Sequence, residues 1–185
     1  MPKVLIFAGA NGSGKTTLAN SVVKPNLKFI NADDIRDKEK LSYIDAGKKA
    51  LSMIDKSISQ KIDFSFETTM SGLGLLKRFK DLKNKRYNTT IFYLFAYPIE
   101  LLVERIKERV KKGGHKVAYE DIVRRYYRSG RNFWKIYRFY ANKWTILNNN
   151  EFEYKEIAMG NKKDFCIIDN FKFKIFKEVV KNAKN

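Results

Sequence analysis

The sequence predicts an α/β protein of three layers, with a five-stranded, mainly parallel sheet between helices and a C-terminal β-hairpin. Three observations carry this expectation. Apolar runs of strand length alternate with segments of helical periodicity, the pattern of strands joined by right-handed helical crossovers. The first apolar run leads directly into a glycine-rich loop and then a helix. Near the C-terminus, two short apolar runs flank Gly160-Asn161, a turn signal.

From the N-terminus, KVLIFAG (3–9) is continuously apolar, as a strand buried on both faces must be. GKTTLANSVV (14–23) starts a helix that Pro25 should end. LKFINAD (27–33) is a short second strand, and Asp33 or Asp34 can cap the helix after it. Residues 43–60 place Ile44, Leu51, Ile54 and Ile58 at helical spacing. IDFSFETT (62–69) is a third strand, and residues 73–85 form a helix. TTIFYLFAYP (89–98) is the fourth strand, central by its composition. Residues 100–112 and 119–140 are charged amphipathic helices separated by Gly113-Gly114. KWTILNN (143–149) is the fifth strand, residues 151–169 form the hairpin, and a last helix closes the chain.

The bulk properties narrow the class. At 185 residues and 44% hydrophobic, one globular domain over residues 1–185 is expected. IFYLFAY (91–97) is too short to span a bilayer, and MPKVLIFAG lacks the features of a signal peptide. A cytoplasmic protein without membrane association is expected. Cys166 allows no internal disulfide, and its apolar surroundings suggest a small buried hydrophobe. The net charge of +18 favours anionic ligands, although lysine is spread over the whole chain.

The stretch Gly9-Ala10-Asn11-Gly12-Ser13-Gly14-Lys15-Thr16 fits G-x-x-x-x-G-K-[ST] at each fixed position. Its glycines permit positive φ and close approach of backbone amides to an anion. The adjoining helix adds its dipole. Lys15 supplies a cation for phosphate, Thr16 a hydroxyl for Mg²⁺, and Thr17 extends the same turn. ATP with Mg²⁺ is the expected ligand. Asn142-Lys143-Trp144-Thr145 lacks the aspartate of the N-K-x-D motif that reads guanine, and no apolar strand ends in Asp-Glu. A small kinase therefore fits better than a switch GTPase or a motor ATPase.

Phosphoryl transfer also needs a group to orient the acceptor hydroxyl and cations for the migrating charge. Asp33 and Asp34 lie just past the second strand, where an acceptor could reach the γ-phosphate. Glu67, Thr68 and Thr69 end the third strand; Glu67 is a ligand of Mg²⁺ or substrate, or else a structural anchor. The basic segment 104–133 has the character of a lid, with Arg105 and Arg109 on one helix face and Arg124, Arg125 and Arg128 in a second cluster. Arg128 is a candidate contact to the nucleotide. Asp34, Thr69 and His115 are candidate substrate contacts.

Together GANGSGKTT, INADDI, FETTMSG, FAYPIELLVERIKERVKKGGH and YEDIVRRYYRS resemble the zeta-toxin-like P-loop kinases, in particular their short bacterial branch. The resemblance implies a P-loop kinase fold and phosphorylation of a hydroxyl on a UDP-N-acetylamino sugar. It also implies an antitoxin protein as partner. By position it makes Asp33 the catalytic base, Lys15 the phosphate-binding lysine and Arg109 one of two phosphate-contacting arginines. Glu67 and Thr68 fall in the substrate-binding segment. The family's Asp-x-Asp appears here as Asn31-Ala32-Asp33, and His115, Arg124 and Arg128 are the candidates for the second arginine's role. Two alternatives stay open: a kinase for another acceptor, such as a polynucleotide end or a small metabolite, and an ATP-binding regulatory module without transfer.

Overall fold

The computed structural model describes residues 1–114, 117–151 and 153–183. Its centre is one sheet of seven strands in the order β2-β3-β1-β4-β5-β6-β7. The strands are β1 (Lys3–Ala8), β2 (Lys28–Ile30), β3 (Phe64–Thr68), β4 (Asn88–Phe95), β5 (Lys143–Asn148), β6 (Lys155–Gly160) and β7 (Phe165–Ile167). The first five pair in parallel, as the alternation predicts. The C-terminal hairpin is not a separate appendage. Its strand β6 pairs antiparallel with β5, so the sheet grows to seven strands rather than five. Asn161 turns the hairpin by accepting from the amides of Lys163 and Asp164.

Helices cover both faces. On one face α1 (Lys15–Val22) packs Leu18 and Ala19 on Phe7, Leu94 and Leu147. The other face carries α3 (Tyr43–Gln60), α4 (Leu76–Asn84), α6 (Tyr119–Lys135) and α7 (Asn170–Lys181), against Ile6, Phe66, Ile91 and Ile146. Strands sandwiched in this way are apolar on both sides, which explains the unbroken runs in β1 and β4. The helices α2 (Ala32–Glu39) and α5 (Ile99–Lys111) complete the chain. Among the described residues no helix is long and apolar enough to cross a membrane.

Several local expectations change. Asp33 and Asp34 do not cap α2; they lie inside its first turn, and Asn31 is the N-cap, accepting from Asp33 N–H at 2.9 Å. Helix α4 begins at Leu76, and α6 stops at Lys135 before a 3-10 turn, Tyr137–Tyr140. Cys166 is exposed, because β7 is the edge strand and all of Phe165–Ile167 faces solvent.

Candidate active site

The glycine loop joins β1 to α1 and takes its shape from close packing. Gly14 holds φ +94°, and a Cβ there would sit 2.2 Å from Asn149 Nδ2. That amide instead donates to the Ser13 carbonyl at 2.9 Å, and the Tyr154 hydroxyl donates to the Gly14 carbonyl at 3.3 Å. The end of β5 and the segment after it therefore brace the loop, a role the asparagine run Asn148-Asn149-Asn150 did not advertise in the sequence.

A cavity of about 560 Å³ opens beyond the carboxyl ends of β1 and β3, the place where open parallel sheets bind ligands. The loop contributes Asn11, Gly12, Gly14, Lys15, Thr16 and Thr17. Asp33 reaches it from α2, Glu67, Thr68 and Thr69 from β3 and its exit, Arg109 from α5 and Arg125 from α6. The remaining loop residues, Gly9, Ala10 and Ser13, are buried in the turn beneath.

Glu67 ties the cleft together. One carboxylate oxygen accepts from the Thr16 hydroxyl at 2.7 Å and from Asn31 Nδ2 at 3.3 Å; the other lies 3.7 Å from Lys15 Nζ. Lys15 is only 6% exposed and donates to the Ala10 carbonyl at 3.0 Å. Burial pushes its pKa below the usual lysine range; Glu67 and Asp33 oppose the shift and Arg109 adds to it. Asp33 stands 3.8 Å from Arg36 with its carboxylate half exposed.

A nucleotide fits these residues. The loop has positive φ at Gly9, Gly12 and Gly14, the buried Lys15 ammonium lines the cavity with Glu67 3.7 Å away, and the helix N-terminus lies directly behind. Mg²⁺ also fits the donor chemistry, since Thr16 and Glu67 bring two hard oxygen ligands side by side.

The arginines are sorted by geometry. Arg125 Nη1 donates to Asn11 Oδ1 at 3.2 Å, which holds α6 against the glycine loop. Arg124 is exposed and paired with Asp121 at 2.6 Å. Arg128 is exposed and does not line the cavity, and neither does Asp34. Burial pushes the Asp34 carboxyl upward, with Glu67 reinforcing the shift. His115 lies outside the described residues. Gly113 and Gly114, between α5 and α6, close α5: Gly113 N–H donates to the Val110 carbonyl and Gly114 N–H to the Arg109 carbonyl, with Gly113 left-handed. This cap packs Gly114 on the Arg109 side chain, and a Cβ at Gly114 would lie 2.6 Å from Arg109 Cγ.

Comparisons with known proteins concern the family and the fold. An uncharacterised protein of Haemophilus influenzae is 36% identical over 127 residues, covering 66% of this chain and 90% of the relative. Among solved structures, the AvrRxo1-ORF1:-ORF2 complex with ATP contains a chain of TM-score 0.76 and 12% identity, covering 97% of this chain. This chain spans 64% of that one. The PezAT chromosomal toxin–antitoxin system of Streptococcus pneumoniae gives TM-score 0.62 at 14% identity, covering 99% of this chain and 87% of its counterpart. A chain of the Pnkp1/Rnl/Hen1 RNA repair complex gives 0.60 at 23% identity, over 73% of this chain and 46% of that one. At these identities the structures show a shared fold. The sequence model of the Zeta toxin family matches residues 1–156, most of the chain, and the protein therefore belongs to that family.

Proposed function

We propose that this phosphotransferase moves the γ-phosphoryl group of ATP onto a hydroxyl of a small molecule held between α3 and residues 66–75. The observation that carries the reading is the convergence of Lys15, Asp33, Glu67, Arg109 and Arg125 on one cavity. Asp33 takes the proton of the attacking hydroxyl. A bond forms from that oxygen to the γ-phosphorus, the bond to the β–γ bridging oxygen breaks, and ADP leaves. Lys15, Arg109 and Arg125 absorb the charge on the migrating group. Mg²⁺ bound at Thr16 and Glu67 would neutralise the phosphates of the donor. The α5–α6 segment over the loop acts as the lid that excludes water.

The acceptor is a UDP-N-acetylamino sugar in this reading, by resemblance to the family, and an antitoxin protein shields the same cleft. The decisive experiment incubates the protein with γ-labelled ATP and UDP-sugars, oligonucleotides or buffer alone. Label is expected on the sugar nucleotide. Label on an oligonucleotide end would move the acceptor to a polynucleotide, and free phosphate alone would favour a regulatory ATPase. Asp33→Asn is expected to bind ATP and to lose transfer; transfer at the wild-type rate would overturn the base assignment.

A further inference from the structure

A second cluster lies at the other end of the sheet. Trp144 pairs with Ile91 near the start of β4, and the Asn142 amide donates to the Thr89 carbonyl. The Tyr137–Tyr140 turn therefore sits at the amino ends of the parallel strands, whereas the glycine loop leaves the carboxyl end of β1. Here a groove of about 680 Å³ runs between the end of α6 and α7.

Its walls combine cations with aromatic rings. The Arg138 guanidinium lies 4.1 Å from the Trp134 ring centroid and 4.1 Å from that of Phe139, and its Nε donates to the Trp134 carbonyl at 2.6 Å. Lys177 Nζ stands 4.5 Å over Trp134. Lys135 and Lys181 border the groove and are exposed. Among the described residues one acid lines the groove, Glu178, an exposed residue 3.8 Å from Lys181. Burial lowers the pKa of Lys177, and Arg138 and Lys135 push it the same way. The cations thus repel one another, and an anion in the groove relieves that repulsion.

We propose that this groove binds single-stranded nucleic acid, with phosphates between Lys135, Arg138, Lys177 and Lys181 and a base against the Phe139 ring. Cations alone would suit any polyanion. The ring decides between them: Phe139 is 44% exposed beside the cations, and a flat apolar surface in a basic groove is what an unpaired base stacks on. A duplex hides its base faces, and a run of acidic residues has no ring to offer. The site does not depend on the kinase reading, because it shares no residue with the cleft.

The test is fluorescence anisotropy of a labelled oligothymidylate with the full chain across a salt series. The Lys135→Glu/Lys181→Glu variant is expected to bind at least about tenfold more weakly, with the salt slope reduced by about 1.4. Phe139→Ala is expected to cost about 5–150-fold, the loss of one stacked base. A control with the same net charge, Lys56→Glu/Lys80→Glu, both exposed elsewhere, should retain affinity within about threefold. An equal loss in the control would overturn the proposal in favour of bulk charge. Tighter binding of polyglutamate, unaffected by Phe139→Ala, would overturn it in favour of an acidic protein partner. ATP affinity of the groove variant should match the wild type; a joint loss of ATP and oligonucleotide binding would place the strand in the cleft and overturn the proposal.

Discussion

Replacing Glu67 by glutamine probes the centre of the cleft without knowing the acceptor. The amide keeps the shape and can still accept from Thr16, so the change is mainly one of charge. At the observed 3.7 Å, and with an effective dielectric constant of about 20, the Lys15–Glu67 attraction is about 4.5 kcal/mol before desolvation. Both side chains are largely buried, at 6% and 12% exposed, so desolvation offsets most of that sum. A net loss of about 1–3 kcal/mol remains, which for a chain of this size lowers Tm by about 2–12 °C. Differential scanning calorimetry is run on the protein alone, with ATP and EDTA, and with ATP and Mg²⁺. ATP is expected to shrink the deficit, because its phosphates give Lys15 a new counter-charge. The further gain on adding Mg²⁺ is expected to be smaller than in the wild type, because the Thr16–Glu67 pair has lost its carboxylate. An unliganded Glu67→Gln protein that melts with the wild type would refute the reasoning.

Three other outcomes rest on single contacts. Gly114→Ala places a methyl 2.6 Å from Arg109 Cγ and 2.8 Å from its carbonyl oxygen, so Arg109 must move; ATP turnover is expected to fall by up to about 10²-fold with the fold retained. Unchanged turnover would show that the cap does not position Arg109. Since burial lowers the Lys15 pKa and bound phosphate raises it again, ATP binding takes up a proton between the two values. Affinity measured by calorimetry should be flat below the lowered value and fall as pH rises from it towards 10.5, while Lys15→Met binds weakly with no such slope. Arg125→Ala should reduce turnover by about 10²-fold and Arg128→Ala by less than about twofold, a contrast that kinetics on the two variants reads directly.

That contrast also marks the limit of the sequence. The glycine loop was legible because its chemistry is local: fixed spacing, a strand before and a helix after. The parallel pairing of five strands was legible from alternation. The arginines of α6 were not, because helical spacing groups residues by face without saying what each face meets. Ile122, Tyr126 and Phe133 mark the buried stripe of α6, yet only the packing of α6 on the loop turns Arg125 toward Asn11 and leaves Arg124 and Arg128 in solvent. Asn31 was readable in principle, as asparagine is among the best N-caps, but the neighbouring aspartates compete for the same position. The seven-strand count and the exposure of Cys166 were missed for one reason. Whether a C-terminal strand joins a sheet, and so which strand becomes its edge, is decided by pairing with β5 and not by local pattern.

The cleft is divided in a way that bears on the acceptor. Lys15, Arg109 and Arg125 gather at the glycine loop, where the donor phosphates belong. Further out, the described lining is Gly47, Ala50, Leu51 and Ile54 of α3 facing Thr68, Thr69 and Ser71. These hydroxyls partly hold their own loop: Thr68 accepts from Met70 N–H at 3.1 Å, and Thr69 and Ser71 share a bond of 2.9 Å. Asn132 and Tyr137 fix the same loop through the carbonyls of Met70 and Gly72, at 2.9 and 2.8 Å. In the proposed reading the acceptor would lie between these hydroxyls and the apolar residues of α3, surfaces that suit the face of a sugar ring. A sugar carrying a diphosphate must either turn it toward Arg109 and Arg125 or leave it in solvent. Comparing kcat/KM for a UDP-N-acetylamino sugar and for the free amino sugar separates these arrangements. Equal values place the diphosphate outside the cleft. A large advantage for the nucleotide that Arg109→Ala or Arg125→Ala abolishes means that one arginine serves donor and acceptor together.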